Sequence, residues 1–95
     1  MKPVYFVMVT YDVREDRRRA KIANELKNYG QRVQYSVFEC RVDSDHDRKM
    51  RKKIKDLICE EEDNLRYYRL CENCVQNVEI VGSGQITMDE DVWIV

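Results

Sequence analysis

Asp12 closes an apolar run, Val4-Tyr5-Phe6-Val7-Met8-Val9-Thr10-Tyr11, and Arg14, Arg17, Arg18, Arg19 and Lys21 follow closely. A carboxylate is a hard oxygen donor of the kind Mg²⁺ takes, commonly one or two per ion with several waters retained. Guanidinium groups hold phosphates through charge-assisted, often bidentate bonds. The pattern therefore suits a phosphodiester: an acid for a divalent cation, and cations for a nucleic-acid backbone. A plainer reading competes with it. Asp after a strand is a common turn or capping residue, and arginines on a helix are commonly just solvated. One carboxylate per chain is a poor metal site, but a twofold contact brings the same residue to itself. A metal role for Asp12 thus requires a dimer. Two facing acids repel each other, and a shared cation or a shared proton removes the penalty.

The remaining chemistry-bearing residues offer less. Cys71-Glu72-Asn73-Cys74 is a single CxxC, and the lone histidine, His46, lies far back in sequence. A structural zinc site takes about four ligands, which this spacing does not supply. Cys40 and Cys59 fall inside apolar patterns and read as small core residues. None of the four cysteines is assigned chemistry, and His46 is assigned no role.

Charge is distributed unevenly. The net charge of −1 sums a front part, residues 1–58, with 15 Lys+Arg against 9 Asp+Glu, and a rear part with 2 against 9. A basic front on a near-neutral chain suggests a polyanion-binding face, against the plainer alternative of a solvated charged surface. Ninety-five residues suit one domain, and a chain this short buries only roughly 60–65% of its unfolded surface, so a partner subunit would help it. No window reaches the ~18 apolar residues of a membrane span, and Val4–Thr10 is too short for a secretory signal. A cytoplasmic location without membrane partners is expected.

The elements that would position these residues follow from periodicity. Val4–Tyr11 reads as a central strand. Asp16 reads as an N-cap for a helix to about Tyr29, with Ile22, Ala23, Leu26 and Tyr29 on one face and Gly30 as its stop. Arg32–Val42 reads as one strand. Its alternation puts Val33, Tyr35 and Val37 toward the helices and Phe38 and Val42 on the opposite face. Met50, Ile54, Leu57 and Ile58 predict a helix over 45–62, Asn64–Leu70 a strand, 71–77 a helical turn and Val78–Val81 a last strand. This order suits an α+β, ferredoxin-like βαββαβ sandwich, with an antiparallel sheet, helices on one face and the other face bare. A bare face predicts a homodimer, with Phe38 inside the interface as dimer core rather than as a base-stacking platform. The boundary is expected near residue 82, with 83–95 a tail. Val92-Trp93-Ile94-Val95 is too apolar and β-prone to be left free. It is expected to pair as an edge strand that completes the dimer sheet or joins an assembly partner, with Trp93 in that contact.

The stretches "YDV", "DRRRAK", "YGQRVQYSVFEC", "YYRLCENC" and "VEIVGSG" together resemble the small Cas2 family of CRISPR-associated proteins, in matching order over about residues 5 to 85. The resemblance implies a ferredoxin-like homodimer whose first-strand aspartates, here Asp12, meet across the twofold axis and bind a divalent metal, Mg²⁺. It implies that Arg17, Arg18, Arg19, Lys21 and Arg32 contact nucleic acid, and that Ser36 and Phe38, which match the family's serine and phenylalanine, lie at the dimer interface. It also implies a dimer that holds duplex DNA between two Cas1 integrase dimers during spacer acquisition. Two readings stand side by side. One is a Mg²⁺-dependent endonuclease on single-stranded RNA or duplex DNA, with Asp12 as catalytic metal ligand. The other is a non-catalytic adaptor, in which the cations matter and Asp12 does not. A toxin-like ribonuclease on the same fold is a third, since fold alone does not choose among functions.

Overall fold

The structure is a computed structural model and describes residues 3–87. The elements run β1 (Tyr5–Asp12), α1 (Asp16–Leu26), β2 (Gly30–Gln34), β3 (Val37–Val42), α2 (Ser44–Leu57), β4 (Asn64–Leu70) and α3 (Glu72–Gln76). The four strands form one antiparallel sheet in the order β2-β3-β1-β4. This is the expected ferredoxin-like arrangement. β1 and β3 lie at the centre because α1 and α2 each carry the chain across one strand before it returns to the sheet.

The core lies between one face of the sheet and the helices. Val7, Val9 and Tyr11 of β1 meet Phe38, Cys40 and Val42 of β3, Ile22, Ala23 and Leu26 of α1, and Met50 and Ile54 of α2. Strand side chains alternate between faces, so burial of Val7, Val9 and Tyr11 sends Phe6, Met8, Thr10 and Asp12 to the second face.

The segment expected as one strand is a hairpin. Tyr35 and Ser36 form a two-residue turn between β2 and β3, and the register shifts between Arg32 and Gln34. Neither turn residue is Gly, Asn or Asp, the types two-residue hairpin loops favour, and Ser36 alone is a weak turn signal. The facing is the reverse of the expected one in both strands: Gly30 and Arg32 pair in register with Cys40 and Phe38, so the even-numbered residues hold the core face on either side of the turn. Phe38 and Val42 point into the core at 0% exposure, whereas Tyr35 is 72% exposed. Phe38 stacks near Tyr11, with ring centroids 6.3 Å apart. Its side chain therefore belongs to its own subunit's core and has no surface to offer a dimer interface.

Other boundaries shift in smaller ways. Glu15, not Asp16, caps α1, accepting from the backbone N–H groups of Arg17 and Arg18. The helix stops at Leu26 rather than Tyr29, and Gly30 opens β2 opposite Cys40. A Cβ on Gly30 would stand 2.1 Å from the Glu39 carbonyl oxygen and 2.8 Å from Cys40 Sγ. Only a residue without a side chain allows that approach. Gly30→Ala is expected to cost about 2–3 kcal/mol by overpacking, read as a lowered urea midpoint. A change below about 0.5 kcal/mol, the range of ordinary surface substitutions, would contradict the tight fit.

The second face is not bare along its whole length. α3 packs against β1 and β4, and Val75 and Phe6 are buried away from the main core. Glu72 at the start of α3 accepts from Arg41 at 2.8 Å, and Arg41 also donates to the Thr87 carbonyl at 3.1 Å. The Thr87 N–H donates to Glu39 at 3.1 Å, so residue 87 lies over β3. This cover sits at the Phe6 end of the sheet, while Asp12 at the other end is exposed. Val78–Val81 forms no strand, and Val78, Ile80 and Val81 are exposed. Trp93 and residues 88–95 of the expected tail strand lie outside the described residues. Among the described residues no helix is long and apolar enough to cross a membrane.

Candidate metal and nucleic-acid site

β1 delivers Asp12 to the open end of the second face. It pairs in register with Asn64 of β4, while Thr10 pairs with Arg66 on one side and Val37 on the other. Its carboxylate makes no side-chain hydrogen bond or ion pair among the described residues, so its oxygens are free to serve as ligands. Ser36 lies at the same end, where its carbonyl accepts from the Tyr11 N–H at 3.1 Å and extends the β1–β3 ladder into the turn. Arg66 and Tyr68, exposed on β4, share the face with Asp12, and Arg66 donates to Tyr68 Oη at 3.3 Å. The sequence reading missed these two. Their alternation along β4 marks them as face-sharing once the β1–β4 register is known.

The structure separates the basic residues into two groups. Arg18 is committed internally: Nε donates to Asp63 Oδ2 at 2.6 Å and Nη2 to Oδ1 at 3.0 Å. Arg19 donates to Asp16 and, at 2.8 Å, to the Val13 carbonyl. Both guanidinium groups fasten the start of α1 to the loops around it. Arg17, Lys21 and Arg32 are exposed and, with Lys27, line one groove of about 420 Å³ between α1 and β2. Lys27 is the cation of this groove that sequence reading left unassigned. The Arg32 guanidinium stands 5.6 Å from the Phe38 ring centroid, packed over the core with its charge outward. A second basic surface runs along α2, where Lys49, Lys52 and Lys55 are exposed.

Asp63 anchors the loop that faces Arg14 and Arg18. Its side chain has no exposure and accepts from Arg18, from the Cys59 N–H at 3.0 Å and from the Arg14 N–H at 3.3 Å. The Arg18 guanidinium, aided by these N–H groups, lowers its carboxyl to about 2 from an ordinary 3.8. A depressed folded-state value means that the native chain binds the proton less readily than the unfolded one. The stabilisation is therefore complete above about pH 4 and is lost as pH falls toward 2. Asp63→Ala leaves Arg18 Nε and Nη2 and two backbone N–H groups without their acceptor, for an expected cost of about 3 kcal/mol. Its acid-unfolding midpoint should also lose the contribution between pH 4 and 2. Parallel acid-unfolding curves for the two proteins would contradict this role.

The other expected residues take structural places. His46 lies in the first turn of α2, with Nδ1 2.8 Å from the capping residue Asp43. Cys40 is a core residue as expected, and burial pushes its thiol up to about 12. Cys59 is not: it is partly exposed beyond α2, 3.7 Å from Glu62.

The fold and the placement of Asp12 define a small α+β protein with an exposed first-strand acid and a cationic flank. The sequence profile described as "CRISPR associated protein Cas2" matches residues 5–78. The chain is 45% identical over 92 residues to CRISPR-associated endoribonuclease Cas2 1 of Chloroflexus aurantiacus, covering 95% of this chain and 99% of that one. Among solved structures it resembles hypothetical protein TT1823 from Thermus thermophilus, with a TM-score of 0.79 at 37% identity, covering 90% of this chain and all of that one. It also resembles a chain in a partial Cas6-RT-Cas1–Cas2 complex, with a TM-score of 0.71 at 33% identity, covering 81% and 90%. The chain belongs to the CRISPR-associated Cas2 family.

Proposed function

We propose that the chain acts in CRISPR spacer acquisition as a twofold homodimer that binds duplex DNA and bridges the Cas1 integrase, with a metal-dependent nuclease site at its paired Asp12 residues. The observation that carries this reading is the position of Asp12: exposed, free of internal partners, and on the end of the sheet face that α3 leaves open. A twofold contact at that end would bring two such acids together. The donor set fits Mg²⁺ only in the dimer, because among the described residues no cluster of three metal-ligating side chains exists within one chain. When bound, Mg²⁺ would supply charge neutralisation at a phosphodiester and activation of a water. The chain's own residues do the rest. Arg17, Lys21 and Arg32 hold backbone phosphates along the α1–β2 groove, and Arg66 carries positive charge on the Asp12 face.

The adaptor role is the principal one. The exposed apolar residues Val78, Ile80 and Val81 support it, because they offer a strand-forming segment to another chain's sheet edge. The name of the Chloroflexus relative, an endoribonuclease, favours cleavage of RNA as the second activity. The test is reconstitution: the purified chain, its Cas1 and a duplex should elute as one complex that depends on this chain. Separate elution of Cas1 at micromolar concentrations would overturn the bridging role.

A further inference from the structure

We propose that Cys71 and Cys74 form a redox-active dithiol that closes reversibly to an intramolecular disulfide, with Cys71 as the attacking sulfur. Their Sγ atoms lie 3.4 Å apart, and both thiols are free and exposed. A disulfide needs about 2.05 Å, so a small inward rotation of the two side chains suffices. The backbone already holds the pair in register: the Val75 N–H donates to the Cys71 carbonyl at 3.0 Å, and the Asn77 N–H to that of Cys74 at 3.1 Å. The two sulfurs are not equivalent. The Cys74 backbone N–H, then its thiol, hold the Cys71 thiol below its ordinary range, and the same contact raises Cys74. Cys71 is thus the richer in thiolate, the form that attacks. The other cysteines lack these features, since Cys40 is buried and Cys59 lies beside Glu62 with no thiol neighbour among the described residues.

The oxidant is a small-molecule disulfide. The Cys71 thiolate attacks one of its sulfurs, forming a mixed disulfide and expelling one thiolate, which takes a proton from water. Cys74, deprotonated by solvent, attacks the Cys71 sulfur and expels the second thiolate. Two protein thiols are oxidised, one external disulfide is reduced to two thiols, and two electrons pass. The ring so formed encloses Glu72, the residue that holds Arg41 and, through it, Thr87. The couple therefore sits in the turn that anchors the segment leading to residue 87.

The test uses the full native chain. Oxidised glutathione is added, free thiols are alkylated, and the peptides are mapped by mass. The expected result is loss of alkylation at Cys71 and Cys74 alone, with one internal disulfide that dithiothreitol reverses. In Cys74→Ser the adduct should persist as one glutathione on Cys71, and Cys71→Ser should react about tenfold more slowly. Both side chains are exposed, so both variants should fold as the parent does. Separate glutathione adducts on the two cysteines, bridges between chains, or two thiols that stay fully alkylatable would each overturn the proposal.

Discussion

Asp12→Asn should lower Mg²⁺-dependent cleavage by about a hundredfold or more. Loss of a residue that merely orients a metal ligand typically costs 10- to roughly 100-fold, and loss of a ligand should cost at least the upper end. The amide keeps the size of the side chain and removes its charge, in the proposed dimer from both subunits at once. Asp12 is exposed and unpaired, so stability should stay within about 0.5 kcal/mol of the parent. The metal-free dimer should hold at least as well, because two facing carboxylates no longer repel. The assay compares the purified protein on RNA and on duplex DNA, with and without Mg²⁺. Unchanged cleavage would assign the activity elsewhere. Spacer acquisition that persists in cells carrying Asp12→Asn would leave the adaptor role standing without catalysis.

The second large effect concerns the groove. Arg17→Glu, Lys21→Glu and Arg32→Glu together should weaken duplex binding about a hundredfold or more at physiological salt, and should abolish acquisition. Each phosphate contact contributes about 0.9 to the slope of log affinity against log salt, so removing three per subunit, six in the proposed dimer, should make that slope shallower by about 5. All three side chains are exposed; Arg17 and Lys21 fasten no element to another, and Arg32 gives up only its packing over Phe38, so folding should survive. Arg18 makes the contrast. Its guanidinium is bound to Asp63 through Nε and Nη2, so Arg18→Ala should act first on stability. An unchanged salt slope in the triple variant would place the phosphates elsewhere, with the lysines of α2 as the next surface to reverse.

Much of this was legible because it rests on local periodicity. β1 is a continuous apolar run, α1 and α2 carry apolar stripes at helical spacing, and each maps onto one element. The hairpin was not legible, because Tyr35-Ser36 holds none of the Gly, Asn or Asp that two-residue hairpin loops favour and the bulge at Arg32–Gln34 leaves no mark in composition. Nor was the facing legible, since alternation with period two says which residues share a face but not which face meets the core, and Val33, Tyr35 and Val37 are as regular an apolar set as Phe38, Cys40 and Val42. Phe38 moved from an expected interface into the core for that reason alone. Asp12 kept its place because β1 has no break between Val7 and its end. The division of the arginines could not be read either. Arg17, Arg18 and Arg19 are adjacent and identical in type, and only Asp63, far along the chain, distinguishes one of them.

A crystal of the dimer soaked in Mn²⁺ tests the pairing of Asp12 most directly, because manganese takes the same oxygen ligands as magnesium and scatters anomalously. The expected result is one anomalous peak on the twofold axis, between the two Asp12 carboxylates, beside an open face closed by the partner subunit. A monomer, or a dimer whose Asp12 side chains point apart with no peak near either, would contradict it.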